Sequence, residues 1–200
     1  MTQPLSPGST IGILGAGQLG RMLAVAAAQL GFKCRIYSDV PGPASDVAVS
    51  TTIGPYEDLE NIARFAAETD VVTYEFENVP VEAAAAVERV RPVRPGLKAL
   101  EVAQDRFREK SFIASLGLPL PRFAPVESAD DFAAAIETVG VPSILKTRRL
   151  GYDGKGQARL TAAGDIGAAF EAIGRAPATL EAMVPFKFEV SVILVRSLTG

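Results

Sequence analysis

The segment Gly15-x-Gly17-x-x-Gly20, set between an apolar run and an amphipathic stretch, restricts the fold of this chain more than any other feature. Thr10-Ile-Gly-Ile-Leu14 reads as a short strand, and from Leu19 the apolar residues Met22, Leu23, Ala26, Ala27 and Leu30 recur at helical spacing until Gly31 stops the helix. A strand passing through a glycine turn into a helix begins a βαβ unit. The same alternation continues. Lys33 to Tyr37 is a second strand, and Val40 to Asp46, with two Pro and a Gly, is a loop. Tyr56 to Glu68 is a helix with Leu59, Ile62, Ala63 and Ala66 on one face. Asp70 to Tyr74 is a strand, and Pro80 opens a helix through Val90. Alternation of this kind predicts a doubly wound α/β domain with a parallel sheet, over residues 8–96.

The pattern changes after Pro92 and Pro95. Leu97 to Gln104 and Arg106 to Leu116 read as short helices, and Gly117 to Pro125, with three Pro, as an extended linker. Ser128 and Asp131 start a helix that ends near Thr138. Strands are predicted at 143–146, 157–160, 178–184 and 188–195, with a glycine-rich loop at 151–156 and a helix from Asp165 to Ile173. Mixed strands and helices of this order predict an α+β domain over residues 97–200. Four strands and two helices leave one sheet face thinly covered, so this domain is expected to be incomplete at its C-terminus.

Composition narrows the chemistry. There is no His, which removes Ser-His and Cys-His nucleophiles and His-ligated metals, and a single Cys, Cys34, which removes intrachain disulfides and thiolate metal clusters. Cys34 lies in a strand-like pattern and reads as a buried, inert thiol. With 20 basic and 23 acidic residues, a nucleic-acid surface is not expected. No apolar run approaches the roughly 18 residues of a membrane span, and residues Met1 to Thr10 carry no signal-peptide pattern. The expected compartment is the cytoplasm, with no nucleic-acid or membrane partner. Chemistry falls to Lys, Arg, carboxylates, backbone amides and bound ions.

Several segments can supply it. Amides at Gly15 to Gly20 would face an anion at a helix start, and Asp39, 19 residues after Gly20, stands near the place of a dinucleotide fold's ribose acid. Lys146-Thr-Arg-Arg-Leu-Gly151-Tyr152-Asp153-Gly154-Lys155-Gly156-Gln157 puts four cations and three glycines into one strand-loop-strand, suited to covering a triphosphate, although Asp153-Gly154 alone would make a plain hairpin turn. Glu75 and Glu77 lie at the carboxyl end of a parallel strand, where ligands bind in doubly wound sheets. Arg106 and Lys110, four apart, share a helix face that counts only if it borders the nucleotide. Glu181-Ala182-Met183-Val184 and Glu189 could meet adenine and a ribose, or be an ordinary strand with Glu on one face.

Together the segments Gly15-Ala-Gly-Gln-Leu-Gly-Arg-Met22, Thr73-Tyr-Glu-Phe-Glu-Asn-Val79, Gln104-Asp-Arg106 and Arg148-Arg-Leu-Gly-Tyr-Asp-Gly-Lys-Gly-Gln157 resemble the ATP-grasp superfamily, and within it the 5-(carboxyamino)imidazole ribonucleotide synthases, from about Thr10 to Thr199. The resemblance implies a pre-ATP-grasp domain followed by the ATP-grasp lid region. It implies carboxylation of aminoimidazole ribonucleotide with bicarbonate and MgATP, through carboxyphosphate, in a homodimeric enzyme of purine biosynthesis. On the residues present it implies that Gly17, Gln18 and Leu19 hold the ribose phosphate and that Glu75, Tyr152 and Asp153 meet the aminoimidazole. Arg106 and Lys146 would neutralise ATP phosphates under the 151–157 lid, Glu181 to Val184 would take adenine, and Glu189 the ribose. Magnesium ligands are expected beyond residue 200, and none within the chain.

Two other readings remain open at this stage. One is an NAD-dependent oxidoreductase built on the Gly15 loop and Asp39, which leaves the 146–157 cluster without a role. The other is a non-catalytic nucleotide-binding module. Because no metal ligands are expected in these 200 residues, phosphate release from MgATP by this chain with aminoimidazole ribonucleotide and bicarbonate should stay at background in a colorimetric assay. Turnover above background would overturn that expectation.

Overall fold

Burial on both faces of β1 sets the first half of the computed structural model, which describes residues 4–151 and 154–197. The chain divides into two compact units, Met1–Glu101 and Val102–Gly200. In the first, β1 (Thr10–Leu14), β2 (Lys33–Ser38), β3 (Ser50–Ile53) and β4 (Val71–Tyr74) form a parallel sheet in the order β3-β2-β1-β4. Ile13 packs on one side with Cys34, Ile36, Ala24 and Ala27. Leu14 packs on the other with Tyr37, Ile62, Phe65, Val72 and Val87. Helix α1 (Gln18–Gln29) covers the first side, and α2 (Leu59–Ala67) and α3 (Val81–Glu88) cover the second. This two-sided cover is why β1 and β4 are largely apolar without alternation.

Two details of this unit differ from the expectation. The face that α1 buries is Gly20, Ala24 and Ala27, while Met22, Leu23 and Leu30 are exposed. Small residues let the helix approach the sheet closely, and of the apolar residues expected at helical spacing only Ala27 lies on the buried face. The strand β3 is not predicted from the sequence, because Ser-Thr-Thr-Ile is half-buried at the sheet's edge and carries no apolar alternation. Cys34 is buried as expected, and burial pushes its thiol pKa up.

In the second unit β5 (Phe123–Val126), β6 (Ser143–Thr147), β7 (Gln157–Leu160) and β8 (Ala178–Ala182) form an antiparallel sheet in the order β5-β8-β6-β7. Helices α6 (Phe132–Val139) and α7 (Ile166–Ala172) pack Ala135, Val139, Ala169 and Phe170 onto Leu145, Leu160 and Leu180. Residues of opposite parity, Lys146, Thr179 and Glu181, face away from that core. Two helices precede the sheet, α4 (Leu97–Ala103) and α5 (Arg106–Ser115).

The expected linker at 117–125 ends in β5, where Pro125 is tolerated because the strand is an edge. The strand expected at 188–195 does not form: these residues are exposed and join no ladder among the described residues. Its apolar pattern is a strand's, but both sides of the neighbouring β8 are already taken by β5 and β6. Among the described residues no helix is long and apolar enough to cross a membrane.

Gly12 marks how tightly the first sheet is packed. A Cβ there would lie 2.9 Å from Val72 Cγ2, 3.0 Å from Thr69 Cγ2 and 3.1 Å from Phe65 Cζ. Gly12→Ala should therefore destabilise the first unit by about 1–3 kcal/mol through overpacking, read as a lowered urea midpoint. An unchanged midpoint would show that the strand has room that the geometry denies.

Candidate functional site

Asp105 begins the site in the second unit. Its carboxylate caps α5, accepting the Phe107 and Arg108 amides at 3.0 Å each. It also accepts Arg148 Nε at 2.9 Å and Nη2 at 2.7 Å. Arg148 in turn donates to Glu127 at 2.6 Å and stacks its guanidinium over the Phe107 ring at 5.5 Å. Burial opposes ionisation of Asp105, yet the Arg148 hydrogen bond and charge, with the two cap amides, hold its carboxyl below the usual range. This clamp fixes the start of α5 against the end of β6.

From that start α5 projects Arg106 and Lys110 onto the polar sheet face, so the shared helix face does border other charge. Arg106, Lys110 and Lys146 converge on the Glu181 carboxylate. Arg106 pairs with both oxygens, Lys110 Nζ lies 3.3 Å away and Lys146 Nζ 3.4 Å. Phe123, packed edge-on against Phe107, lies under the Lys110 ammonium. Three cations on one carboxylate leave two positive charges unmatched. Burial alone would raise the Glu181 pKa; the hydrogen bond and charge of Arg106, then Lys110 and Lys146, outweigh it and hold the carboxyl below its ordinary value.

The surplus charge borders a cavity of about 200 Å³, lined by Arg106, Lys146, Thr147, Gly151, Gly154, Lys155, Gly156 and Gln157. Thr147 donates its amide to Gly156 O at 2.8 Å. A Cβ at Gly151 would lie 2.8 Å from Thr147 Oγ1, and Gly156 combines a closer approach to the same atom, 2.5 Å, with a φ of +66°. Glycine is required at 156 on both counts. The residues named at a distance in sequence, Arg106, Lys146, Gly151 and Gly154 to Gln157, thus meet in one place. Tyr152 and Asp153 lie outside the described residues.

Glu181 lies in β8, and Ala182 closes that strand. Met183 and Val184 follow it, with Met183 donating its amide to Pro142 O at 3.1 Å. Glu189 lies on the exposed stretch beyond, outside any strand. The sequence reading missed Thr179, which is fully buried opposite Lys146 with its hydroxyl unpartnered. A Thr in a strand carries no chemical signature of its own. It missed the Asp105 clamp as well, although Asp before a helix is an N-cap signal.

In the first unit the carboxylate at the end of β4 that matters is Glu75. It accepts the Gly17 and Gly20 amides at 2.5 Å each, while Glu77 is exposed and bonds only its neighbour Asn78 among the described residues. Gln18 and Leu19 are exposed at the start of α1. The amides expected to meet a phosphate are met by a side chain.

Residues 8–104 match the ribonucleotide synthetase preATP-grasp domain, and residues 111–200 match the ATP-grasp domain. The chain belongs to the ATP-grasp superfamily. It is a homologue of the N5-carboxyaminoimidazole ribonucleotide synthases. The Brucella melitensis protein of that name is 48% identical over 98% of this chain, which covers 55% of it. An N5-carboxyaminoimidazole ribonucleotide synthetase solved with ADP superposes with a TM-score of 0.87 at 39% identity, covering 94% of this chain and 50% of that one. The Aspergillus clavatus N5-carboxyaminoimidazole synthase, solved with ADP and 5-aminoimidazole ribonucleotide, gives 0.76 at 27% identity, covering 90% and 48%. The chain spans about half the length of the relatives it matches.

The ATP-grasp domain thus carries the cationic cavity, and the preATP-grasp domain carries the glycine loop closed by Glu75. A dinucleotide reading is not favoured, since Glu75 sits on the amides that a pyrophosphate would need. Glu181 is the most consequential charge of the ATP-grasp domain. Its lowered pKa makes its stabilisation complete above the unfolded carboxyl value of about 4.3 and lost as pH falls through the folded value. Glu181→Gln should cost near the lower end of the about 3–5 kcal/mol of a broken buried pair, because Arg106 and Lys146 reach solvent. Chemical denaturation at pH 7 and in acid checks this: the gap between the two proteins should narrow below about pH 4. A gap independent of pH would refute the charge argument.

Proposed function

We propose that this chain works in the ATP-dependent carboxylation of 5-aminoimidazole ribonucleotide in purine biosynthesis. Bicarbonate attacks the γ-phosphorus of ATP, giving carboxyphosphate and ADP. Carboxyphosphate releases carbon dioxide and phosphate, and the amine takes up the carbon dioxide to give N5-carboxyaminoimidazole ribonucleotide. The observation that carries this reading is the cavity where Arg106, Lys146, Gly151 and Gly154 to Gln157 meet with two unmatched positive charges. Phosphoryl transfer needs positioning and charge neutralisation rather than a nucleophilic side chain, so a chain without His is suited to it.

On this reading residues 97–200 take the nucleotide. Arg106 and Lys146 neutralise its phosphates, with Gly151, Gly154, Lys155, Gly156 and Gln157 as a lid. Glu181, Ala182, Met183 and Val184 take adenine, and Glu189 the ribose. Residues 8–96 take the ribonucleotide, with Gly17, Gln18, Leu19 and Glu75 toward it, and Tyr152 and Asp153 complete the aminoimidazole contacts. Magnesium accompanies ATP. Among the described residues no group of three or more carboxylates or Cys could hold a metal ion, so none of them is assigned to magnesium. The same reading carries a homodimer in the cytoplasm.

Thermal stabilisation tests it directly. A ligand at 100 times its dissociation constant adds about 2.7 kcal/mol, so ATP and 5-aminoimidazole ribonucleotide should each raise the midpoint, and NADH should not. Each of Arg106→Ala and Lys146→Ala removes a charge-assisted contact and should weaken ATP roughly 10- to 150-fold by calorimetry. Stabilisation by NADH, or unchanged ATP affinity in both variants, would defeat the proposal.

A further inference from the structure

A glycine loop at a helix start ordinarily offers its amides to an external anion. In this chain the anion is internal. Glu75 Oε1 accepts Gly17 N and Oε2 accepts Gly20 N, each at 2.5 Å. The glycines themselves fit this side chain. A Cβ at Gly15 would run into Glu75 Cγ, one at Gly17 would lie 2.7 Å from Oε1, and one at Gly20 would lie 2.9 Å from Oε2. The close approach usually credited to a phosphate is therefore made by Glu75. Its own backbone is tied down as well: the Glu75 amide donates to Leu14 O at 3.1 Å, and the Gly15 amide donates to Tyr37 O at 2.8 Å. A phosphate dianion reaching the Gly17 and Gly20 amides would meet a carboxylate already at contact distance from both.

We propose that Glu75 is the resident anion of the Gly15–Gly20 loop. It acts as a positioning residue that keeps the substrate's phosphate off the Gly17 and Gly20 amides. The proposal rests on the reading that this unit takes a ribonucleotide, and refines it. The exposed Gln18 and Leu19 become the loop's outward contacts, and the phosphate finds its charge partners elsewhere. Each Glu75 oxygen retains a second lone pair, so the same carboxylate can accept a hydrogen bond from an amine while it holds the loop.

The test is a titration of the isotope-labelled chain with inorganic phosphate, followed at the Gly17 and Gly20 amide resonances. In the wild-type chain both should stay unmoved. In Glu75→Ala both should shift saturably, with phosphate affinity at those amides raised about tenfold or more, a gain that loss of a merely structural contact would not produce. Glu75→Gln retains the side chain's shape but one of its terminal atoms cannot accept, so hydrogen exchange at Gly17 or Gly20 should accelerate even if the Ala variant fails to fold. Phosphate shifts at both amides of the wild-type chain overturn the proposal. So does a folded Ala variant that gains no phosphate affinity, or a Gln variant with unchanged exchange. A wild-type chain that fails to bind 5-aminoimidazole ribonucleotide would defeat the functional reading alone and leave the phosphate result standing.

Discussion

A carboxylate withdrawn from water must be met by cations or by backbone amides, and two such carboxylates organise this molecule. Glu181 is met by cations and Glu75 by amides. Around Glu181 the constraint runs outward through the polar face of an antiparallel sheet. Arg106 can reach it only because Asp105 pins the start of α5, and Asp105 can do so only because Arg148 at the end of β6 holds it. Around Glu75 the constraint runs through glycine, since no other residue would let the carboxylate reach the amides.

The charge count gives the second unit its character. Three cations share one carboxylate, and Lys110 is the most enclosed of them. A polyphosphate that draws Arg106 and Lys146 toward itself still leaves Glu181 neutralised by Lys110, with Phe123 beneath the ammonium. The cluster therefore keeps a surplus of two positive charges, and on the proposed reading a nucleotide would take up Arg106 and Lys146 while Lys110 stays with Glu181.

Much of this was legible in the sequence, for identifiable reasons. Strand-glycine-helix alternation gave the parallel sheet, and the cations and glycines of 146–157 gave the cavity, because both signals are local. Signals that depended on a partner elsewhere were lost. Nothing near Gly20 says that Ala24 would face the sheet beside Ala27 while Met22 and Leu23 would not. Nothing in Ser50-Thr-Thr-Ile53 says that it pairs with β2. The choice between Glu75 and Glu77 required the loop 55 to 58 residues upstream to be folded against one of them.

The run Val190-Ser-Val-Ile-Leu-Val195 has a further consequence. It is strand-forming, uncharged and exposed, with Ile193, Leu194 and Val195 each more than four-fifths accessible. Backbone donors and acceptors in such a run are open to pairing with any other extended chain. An extended segment laid beside it would pair its backbone and cover Ile193, Leu194 and Val195 in one step.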